Sequence, residues 1–437
     1  MSFTMPFRRA QCRRPCSGWH VRQSTTSPLI CLLGFWLAGL AVPAHATSLT
    51  LGEAEAQLAR NNPSLAAAAQ RIAALRHRAV AATQLPDPHL SLDAVNLPTN
   101  SFSLTQQGMT MLSVGVSQDF PPIGKLGLEG DRLQAQAAGQ LYSREAKRAE
   151  LVFALRQAWL SAVYTRQAAK TVRRQEDLAH ENESAAMAAY RSGTAPQSDV
   201  FRTRLAVEEL HNDRSALAAD EAAALARIAR YLGADQTPDI APDWPVLPGP
   251  PSDSEARPST QPLLREMQAK VQAARIGEQL AEKDFLPTLA VGASYGKSFV
   301  PGSPDYFSAG VSINLPIFSS RRLDQELDSA RARVMEARYN EQDQRLALMQ
   351  QIRAATARLR SLHEKWSRAT TRILPLARDA LRATLTAYTN GRATMSEVLK
   401  AQQDVFANEL QTLQYRRNLL AAQAELDYLT TASEQQP

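Results

Sequence analysis

The sequence predicts a mainly α-helical fold with a smaller β part: long helical coiled-coil hairpins, plus four short strands that contribute to a transmembrane barrel. Three observations support this prediction. One structural unit occurs twice in the 437-residue chain, each copy contains a very long segment typical of a helix, and each copy contains two segments typical of strands.

The duplication is clearest in a stretch of twelve residues. Residues 189–200 read AYRSGTAPQSDV, and residues 387–398 read AYTNGRATMSEV, so the shift is 388 − 190 = 198 positions. Other landmarks keep nearly the same shift; Leu85-Pro86 matches Leu286-Pro287 at 201 positions. A repeat of this length is a whole structural half, so the fold is built from two copies of one unit.

Each copy contains a segment that is too long for an ordinary globular core. From Lys125 to Arg191 the chain has no proline and is rich in Ala, Leu, Arg, Gln and Glu, which favours a helix on the order of 100 Å long. The counterpart from Arg321 to Thr389 is interrupted only by Pro375, which should bend it. Such helices must pack along one another as coiled coils or form an extended tube.

Each long helix is predicted to end at the repeated motif and to be followed by a returning helix, Pro196–Leu232 in the first copy and Met395–Thr431 in the second. Gly193 and Gly391 suit the left-handed conformation that ends a helix. The candidate caps of the returning helices are Thr194 or Ser198 and Thr394 or Ser396. The motif is therefore the tip of a helical hairpin.

Four segments with partial alternation of apolar and polar residues are predicted to be strands: His89–Asn96, Met109–Phe120, Thr288–Phe299 and Tyr306–Leu315. Each has about ten residues, the length that a tilted strand needs to cross a bilayer. Four strands do not close a barrel, and an open sheet in lipid leaves costly unpaired edges. Several copies of the chain must therefore share one barrel.

The chain begins with a segment typical of a signal peptide, residues 1–46. It has an apolar stretch from Leu29 to Val42 and the small-residue site Ala44-His45-Ala46, after a basic region that contains Arg8, Arg9, Arg13, Arg14 and Arg22. A retained membrane anchor is the alternative. The predicted organisation continues with a first repeat at 47–232, a proline-rich linker at 233–261, a second repeat at 262–431 and a disordered tail at 432–437.

Removal of the leader changes what the composition implies. The leader holds five of the 49 basic residues, which leaves 49 − 5 = 44 against 43 acidic residues, so the basic balance is no indication of nucleic-acid binding. All three cysteines also lie in the leader, so the remaining chain has no disulfide, thiolate metal site or cysteine nucleophile.

No catalytic constellation or cofactor motif is found in the sequence, and we expect neither an enzyme nor a cofactor-binding protein. The remaining histidines are scattered, with no pair at i and i+4, and predict no metal site: His77, His89, His180, His211 and His363.

The duplicated arrangement of strands, long helix, tip and returning helix resembles the TolC family of outer-membrane efflux proteins over Leu49–Thr431. The most specific motif is Tyr388-Thr389-Asn390-Gly391 followed by Glu397-Val398-Leu399. The resemblance implies a homotrimer with a twelve-stranded barrel in the outer membrane and a helical tunnel across the periplasm. It also implies a periplasmic adaptor and an inner-membrane pump, of the RND type, as partners, with no cofactor and no catalysis.

A narrower likeness concerns the subgroup. Two stretches are similar to outer-membrane partners of heavy-metal (cobalt-zinc-cadmium/copper) efflux pumps: residues 116–121 (VSQDFP) with Gly124-Lys125, and Ile373-Leu374-Pro375. The resemblance therefore implies a passive exit duct for heavy-metal cations. Drug efflux and type I secretion are alternatives within the family, and a periplasmic coiled-coil scaffold without a pore is an alternative outside it.

The resemblance places a periplasmic gate at Tyr388 and Glu397. A threefold axis would bring three Glu397 carboxylates together, which would attract cations and raise the carboxyl pKa. Lys400 stands where some members of the family carry a second acid, and it could weaken this ring. The alternative is that Glu397 is an acid at a helix N-terminus, stabilised by the helix dipole.

The hairpin tips are the candidate contacts with the adaptor. These residues are Arg191, Ser192, Gly193 and Thr194 in the first copy and Asn390, Gly391 and Arg392 in the second. Ordinary turn chemistry explains the glycines without any partner.

Overall fold

A computed structural model describes residues 48–247, 260–317 and 319–431. The predicted signal peptide, part of the predicted linker and the predicted tail lie outside the described residues.

The two copies of the unit have the same order of elements. The first contains α1 (Leu51–Asn61), α2 (Pro63–Ala82), β1 (His89–Val95), β2 (Met111–Phe120), α3 (Lys125–Arg191) and α4 (Gln197–Leu232). The second contains α5 (Pro262–Lys283), β3 (Thr288–Ser298), β4 (Tyr306–Asn314), α6 (Ser319–Arg368), a π-helical turn (Ala369–Ile373), α7 (Leu374–Thr389) and α8 (Met395–Thr430). The predicted helices and strands are confirmed, and their bounds differ from the predictions by at most two residues.

The 67-residue helix α3 begins and ends where the sequence predicts. Gly124 precedes it with a φ of 82°, a left-handed conformation that favours glycine. The Lys125 side chain forms an ion pair with Asp284 at the end of α5, which joins the corresponding corners of the two repeats.

The predicted interruption at Pro375 is confirmed, and its form is a π-helical turn. Residues Ala369–Ile373 make this turn between α6 and α7, and Pro375, which has no N–H to donate, follows it as the second residue of α7. The Thr371 hydroxyl donates to the carbonyl of Ser367 at 2.8 Å within the same segment. Helix α3 of the first repeat runs on without such a break.

The four strands form one antiparallel sheet in the order β1-β2-β3-β4. The register pairs Leu92 with Val114, Val114 with Tyr295, and Tyr295 with Phe307, so these side chains share one face. In the described part of the chain, β1 and β4 each pair on one side only. The sheet therefore has two open edges.

The two faces of the sheet differ in chemistry. Apolar residues dominate one face, with Gln118 and Lys297 as exceptions: Leu90, Leu92, Ala94, Leu112, Val114, Val116, Phe120, Leu289, Val291, Ala293, Tyr295, Phe307, Ala309, Val311 and Ile313. Serine and glycine dominate the centre of the other face: Ser91, Ser113, Gly115, Ser117, Gly292, Ser294, Gly296, Ser308, Gly310 and Ser312. The apolar face is exposed in the single chain, with Leu92 at 77 % and Phe307 at 73 %.

The main packed core lies where α1, α3 and α4 meet, around the fully buried Trp159. Ile240 belongs to this core, and its neighbours Asp239 and Ala241 exchange backbone hydrogen bonds of 2.9 Å with Leu49. The first part of the predicted linker therefore packs on the helices.

A buried ion cluster connects the two repeats beside this core. The Arg156 guanidinium on α3 donates to Glu55 on α1 at 2.7 Å and also to Asp427 on α8. Burial opposes the charge on Arg156, but the hydrogen bonds to Glu55 and Asp427 outweigh it and raise the pKa of the guanidinium.

No helix among the described residues is both long enough and apolar enough to cross a membrane.

Candidate hairpin tips and gate

The two tips have the same backbone hydrogen bonds, which explains the repeated motif. In the first, the Gly193 N–H donates to the Tyr190 carbonyl at 3.0 Å and the Thr194 N–H to the Ala189 carbonyl at 2.9 Å. In the second, the equivalent donors Gly391 and Arg392 bond to Tyr388 and Ala387 at 3.0 and 2.8 Å. Both glycines have positive φ, 72° and 69°, and end their helices as predicted.

The first tip corrects one prediction. Helix α4 begins after Pro196, and no side chain caps it, so neither Thr194 nor Ser198 has the predicted role. Thr194 lies two residues before the N-cap position, Pro196, and its hydroxyl closes the turn by donating to the Ala189 carbonyl at 3.0 Å.

The second tip has the predicted cap at Thr394. The Thr394 hydroxyl accepts from the Glu397 N–H at 3.3 Å, and the Glu397 carboxylate accepts from the Thr394 N–H at 2.7 Å, which is a complete capping box. The hydrogen bond from the Thr394 backbone, followed by that from its side chain, lowers the pKa of the Glu397 carboxyl. The alternative role of Glu397, at a helix N-terminus, is therefore present in the single chain.

The three predicted gate residues lie around this tip without being linked to one another. Tyr388 is half-buried on the last turn of α7, whereas Glu397 and Lys400 are exposed on the first turns of α8. Within the described part of the chain, Lys400 forms no ion pair, and no hydrogen bond joins Tyr388 to Glu397. A carboxylate ring requires neighbouring copies of the chain and stays a prediction.

All the predicted adaptor contacts lie on the exposed surface of the two tips. Some of their side chains already donate hydrogen bonds within the turns. The Ser192 hydroxyl donates to the Ala189 carbonyl at 3.0 Å, and the Asn390 side chain donates to the Thr386 carbonyl at 2.8 Å. Arg191 and Arg392 are the charged members of the set, one on each tip.

The first hairpin also brings together a group that the sequence analysis missed. Glu176 and His180 lie one turn apart on α3, and His211 lies opposite them on α4. A search for histidine pairs at i and i+4 does not find them, since the near pair is Glu176–His180 and the third member is more than 30 residues away. The sequence signal for this group was a carboxylate and a histidine four residues apart on α3, together with a histidine on the returning helix α4.

Comparison with known proteins identifies the class. The model of the outer membrane efflux protein family matches residues 56–234 and 258–431, so it covers both repeats. The chain belongs to this family. It is an outer-membrane efflux channel of the TolC type that extends into the periplasm.

Individual relatives agree with this assignment. The chain is 28 % identical over 323 residues to Protein CyaE of Bordetella pertussis, over 68 % of this chain and 67 % of that protein. Its fold is similar to that of the outer-membrane channel OprN, with a TM-score of 0.75 and 17 % identity over 88 % of this chain and 90 % of that one. It is equally similar to CusC, with a TM-score of 0.75 and 18 % identity over 89 % and 93 % of the two chains.

Proposed function

We propose that three copies of the chain form the passive exit duct of a tripartite efflux system. The observation that carries this proposal is the sheet, which has one exposed apolar face, one face rich in serine and glycine, and two open edges. In a bilayer the apolar face suits lipid and the polar face suits a water-filled lumen. Pairing the open edges of three sheets closes a barrel of 3 × 4 = 12 strands without unpaired backbone groups.

The helices supply the periplasmic part of the duct. At 1.5 Å per residue, the 67 residues of α3 extend about 100 Å, far beyond the sheet. Three chains with two hairpins each present six tips around one opening. We assign to these tips the contact with a periplasmic adaptor, which links the duct to an inner-membrane pump of the RND type.

Heavy-metal cations are the leading cargo in this proposal. Support comes from the corner sequence at residues 116–125 and from Pro375, which resemble the metal-exporting subgroup. Lys125 of that corner joins α3 to Asp284 of the other repeat, and Pro375 follows the π-helical turn. Drug efflux and type I secretion use the same kind of duct and are the alternatives.

The proposal is tested in two steps. The purified protein should need detergent, migrate as a trimer that heat dissociates, and contain no water-soluble monomer; a soluble, monodisperse protein would support the pore-free scaffold instead. A deletion strain should then lose resistance to zinc, cadmium, cobalt or copper. Sensitivity to drugs alone, with normal growth on all four metals, would move the cargo assignment to drug efflux.

The gate proposal predicts different effects for two substitutions of Glu397. Glutamine also completes a capping box, so Glu397→Gln removes the charge and keeps the helix N-terminus, whereas Glu397→Ala removes both. If three Glu397 carboxylates form a ring, both variants should lose cation selectivity to a similar extent in single-channel recordings. Wild-type selectivity in Glu397→Gln would contradict the carboxylate ring and leave capping of α8 as the role of this residue.

The capping role of Glu397 has its own pH dependence. The pKa in the folded chain lies below the ordinary value of 4.5, so the stabilising contribution is complete above that pH and is lost as the pH falls through the lowered value. We expect hydrogen exchange in the first turn of α8, corrected for intrinsic rates, to speed up at acidic pH in the wild type more than in Glu397→Gln. Equal acceleration in both proteins would contradict this.

If the tips contact the adaptor, substitutions there should impair efflux without impairing trimer formation. Replacement of Arg191 and Arg392 by alanine should leave the trimer intact, because both side chains are exposed and outside the packed core. Metal resistance should fall in cells that carry this double variant. Full resistance with the double variant would show that these two residues do not carry the contact.

A further inference from the structure

We propose that Glu176, His180 and His211 form a zinc site that bridges α3 and α4 of the first hairpin. Each residue offers one ligand atom, and these atoms all lie within 4.8 Å of one another. The two imidazole rings have centroids 6.3 Å apart, and His211 Nε2 lies 2.8 Å from Glu176 Oε1. Two imidazoles and one carboxylate are a ligand set that zinc uses, with a fourth position open to water.

The surroundings of the imidazoles fit a metal site. His211 directs Nε2 to Glu176, and its Nδ1 lies 3.6 Å from the Glu208 carboxylate. His180 has a carboxylate beside its Nδ1 as well, that of Glu183 at 3.8 Å. A carboxylate that accepts a hydrogen bond from the second ring nitrogen of a metal-binding histidine fixes the ring orientation and makes the imidazole a stronger ligand. Glu208 and Glu183 lie just beyond hydrogen-bond distance of these nitrogens.

The site lies at the edge of a packed seam. The Glu176 side chain is only 10 % exposed, and the buried residues Val172, Ala179, Val207 and Leu210 pack next to it between the two helices. His180 is exposed, which leaves a route for an ion from solvent. A carboxylate held in this seam interacts more strongly with a cation than one in open water.

The equivalent positions of the second repeat form a cross-link between the two helices of its hairpin. The shift of 198 residues places Arg378 and Glu409 at the positions of His180 and His211, and these two side chains form an ion pair of 2.7 Å between α7 and α8. In the first repeat the same positions hold two imidazoles, whose ring nitrogens a metal cation would link across the two helices. Glu176 has no acidic equivalent, since the matching residue is Leu374.

Arg214 would compete with a bound ion for the Glu176 carboxylate. Its Nη1 atom lies 3.0 and 3.2 Å from the two oxygens of Glu176. Zinc that binds between Glu176 and His211 must share this carboxylate with the guanidinium, so we expect Arg214 to weaken binding. This competition gives the site a variant that should bind more tightly than the wild type.

The site lies 191 − 176 = 15 residues from the end of α3, which is about 22 Å along the helix. Zinc there would cross-link the two arms of the hairpin above the tip and hold their register. The proposed site lies between the two helices of the first hairpin, and its presence does not depend on which cargo the duct exports.

The test measures zinc binding by the full-length chain in detergent, purified with a tag that lacks histidine. We expect about one tightly bound zinc ion per chain. His180→Ala and His211→Ala should weaken binding at least about tenfold, because each removes one of three ligands, and Arg214→Gln should strengthen it. His363→Ala, which removes another exposed histidine from α6, is the matched control and should bind like the wild type.

His180→Ala is the decisive variant because the side chain is exposed and its loss should not disturb the fold. Binding of Co²⁺ to the wild type should give the visible absorption of a low-symmetry nitrogen and oxygen site, and His180→Ala should lose it. Zinc binding that is equal in His180→Ala and wild type, or absent from both the wild type and Arg214→Gln, would overturn the site and leave an ion-pair network of Glu176 with Arg214 and His211.

Discussion

Val114→Arg should prevent the protein from assembling in the outer membrane. Val114 lies in the middle of β2, paired with Leu92 on one side and Tyr295 on the other, and is 48 % exposed on the apolar face. An arginine on the lipid face near the bilayer centre costs about 2–4 kcal/mol, and a trimer carries it three times. The measurement is the fraction of the chain recovered from outer membranes as a heat-dissociable trimer.

Ser294→Arg is the matched control for the lipid face. Ser294 is adjacent to Tyr295 on the paired strand β3 but lies on the serine and glycine face, opposite Gly115. If this face lines a water-filled lumen, the arginine stays hydrated, the trimer should assemble, and the ion selectivity of the pore should shift. Failure of both variants to the same extent, or normal assembly of Val114→Arg, would contradict the assignment of the two faces.

Arg156→Ala should destabilise the helical body by about 3 kcal/mol. Its side chain is 10 % exposed and joins α1, α3 and α8 through Glu55 and Asp427, so its removal takes this partner from two carboxylates at once. Loss of one partner from a buried ion pair costs about 3–5 kcal/mol, and the partial exposure of these carboxylates favours the lower end. The measurement is the urea concentration at half-unfolding, followed by circular dichroism in detergent.

Arg358→Ala is the control for this second prediction. Arg358 binds Glu425 at 2.7 Å, two residues before Asp427 on α8, but its side chain is 58 % exposed. An exposed pair contributes about 0–1 kcal/mol, so this variant should unfold close to the wild type. Equal destabilisation by both substitutions would contradict a special role for the buried cluster.

The sequence predicts the long elements well because their causes are local. Gly124 and Gly193 flank a stretch without proline, and this pattern predicts α3 with its observed bounds. The alternation in residues 288–299 similarly predicts β3 within one residue. Each of these signals acts over a few neighbouring residues, so no knowledge of the tertiary structure is needed to interpret it.

The features that the sequence does not reveal depend on contacts between distant residues. The Arg156 cluster joins positions 101 and 271 residues apart, and no local pattern indicates it. The Glu176, His180 and His211 group requires the register of the hairpin. Thr194 is a residue type that often caps helices, but α4 begins two residues too late for it to cap, and only the structure shows where that helix begins.

The most direct test of the central claim is the conductance of the purified trimer in a planar lipid bilayer. If three four-stranded sheets close one barrel above a helical tunnel, the protein should insert and give discrete steps of equal size. Each step should correspond to one trimer. Protein that binds the bilayer without any conductance steps, over a range of voltages and with the trimer verified in the same sample, would contradict the duct.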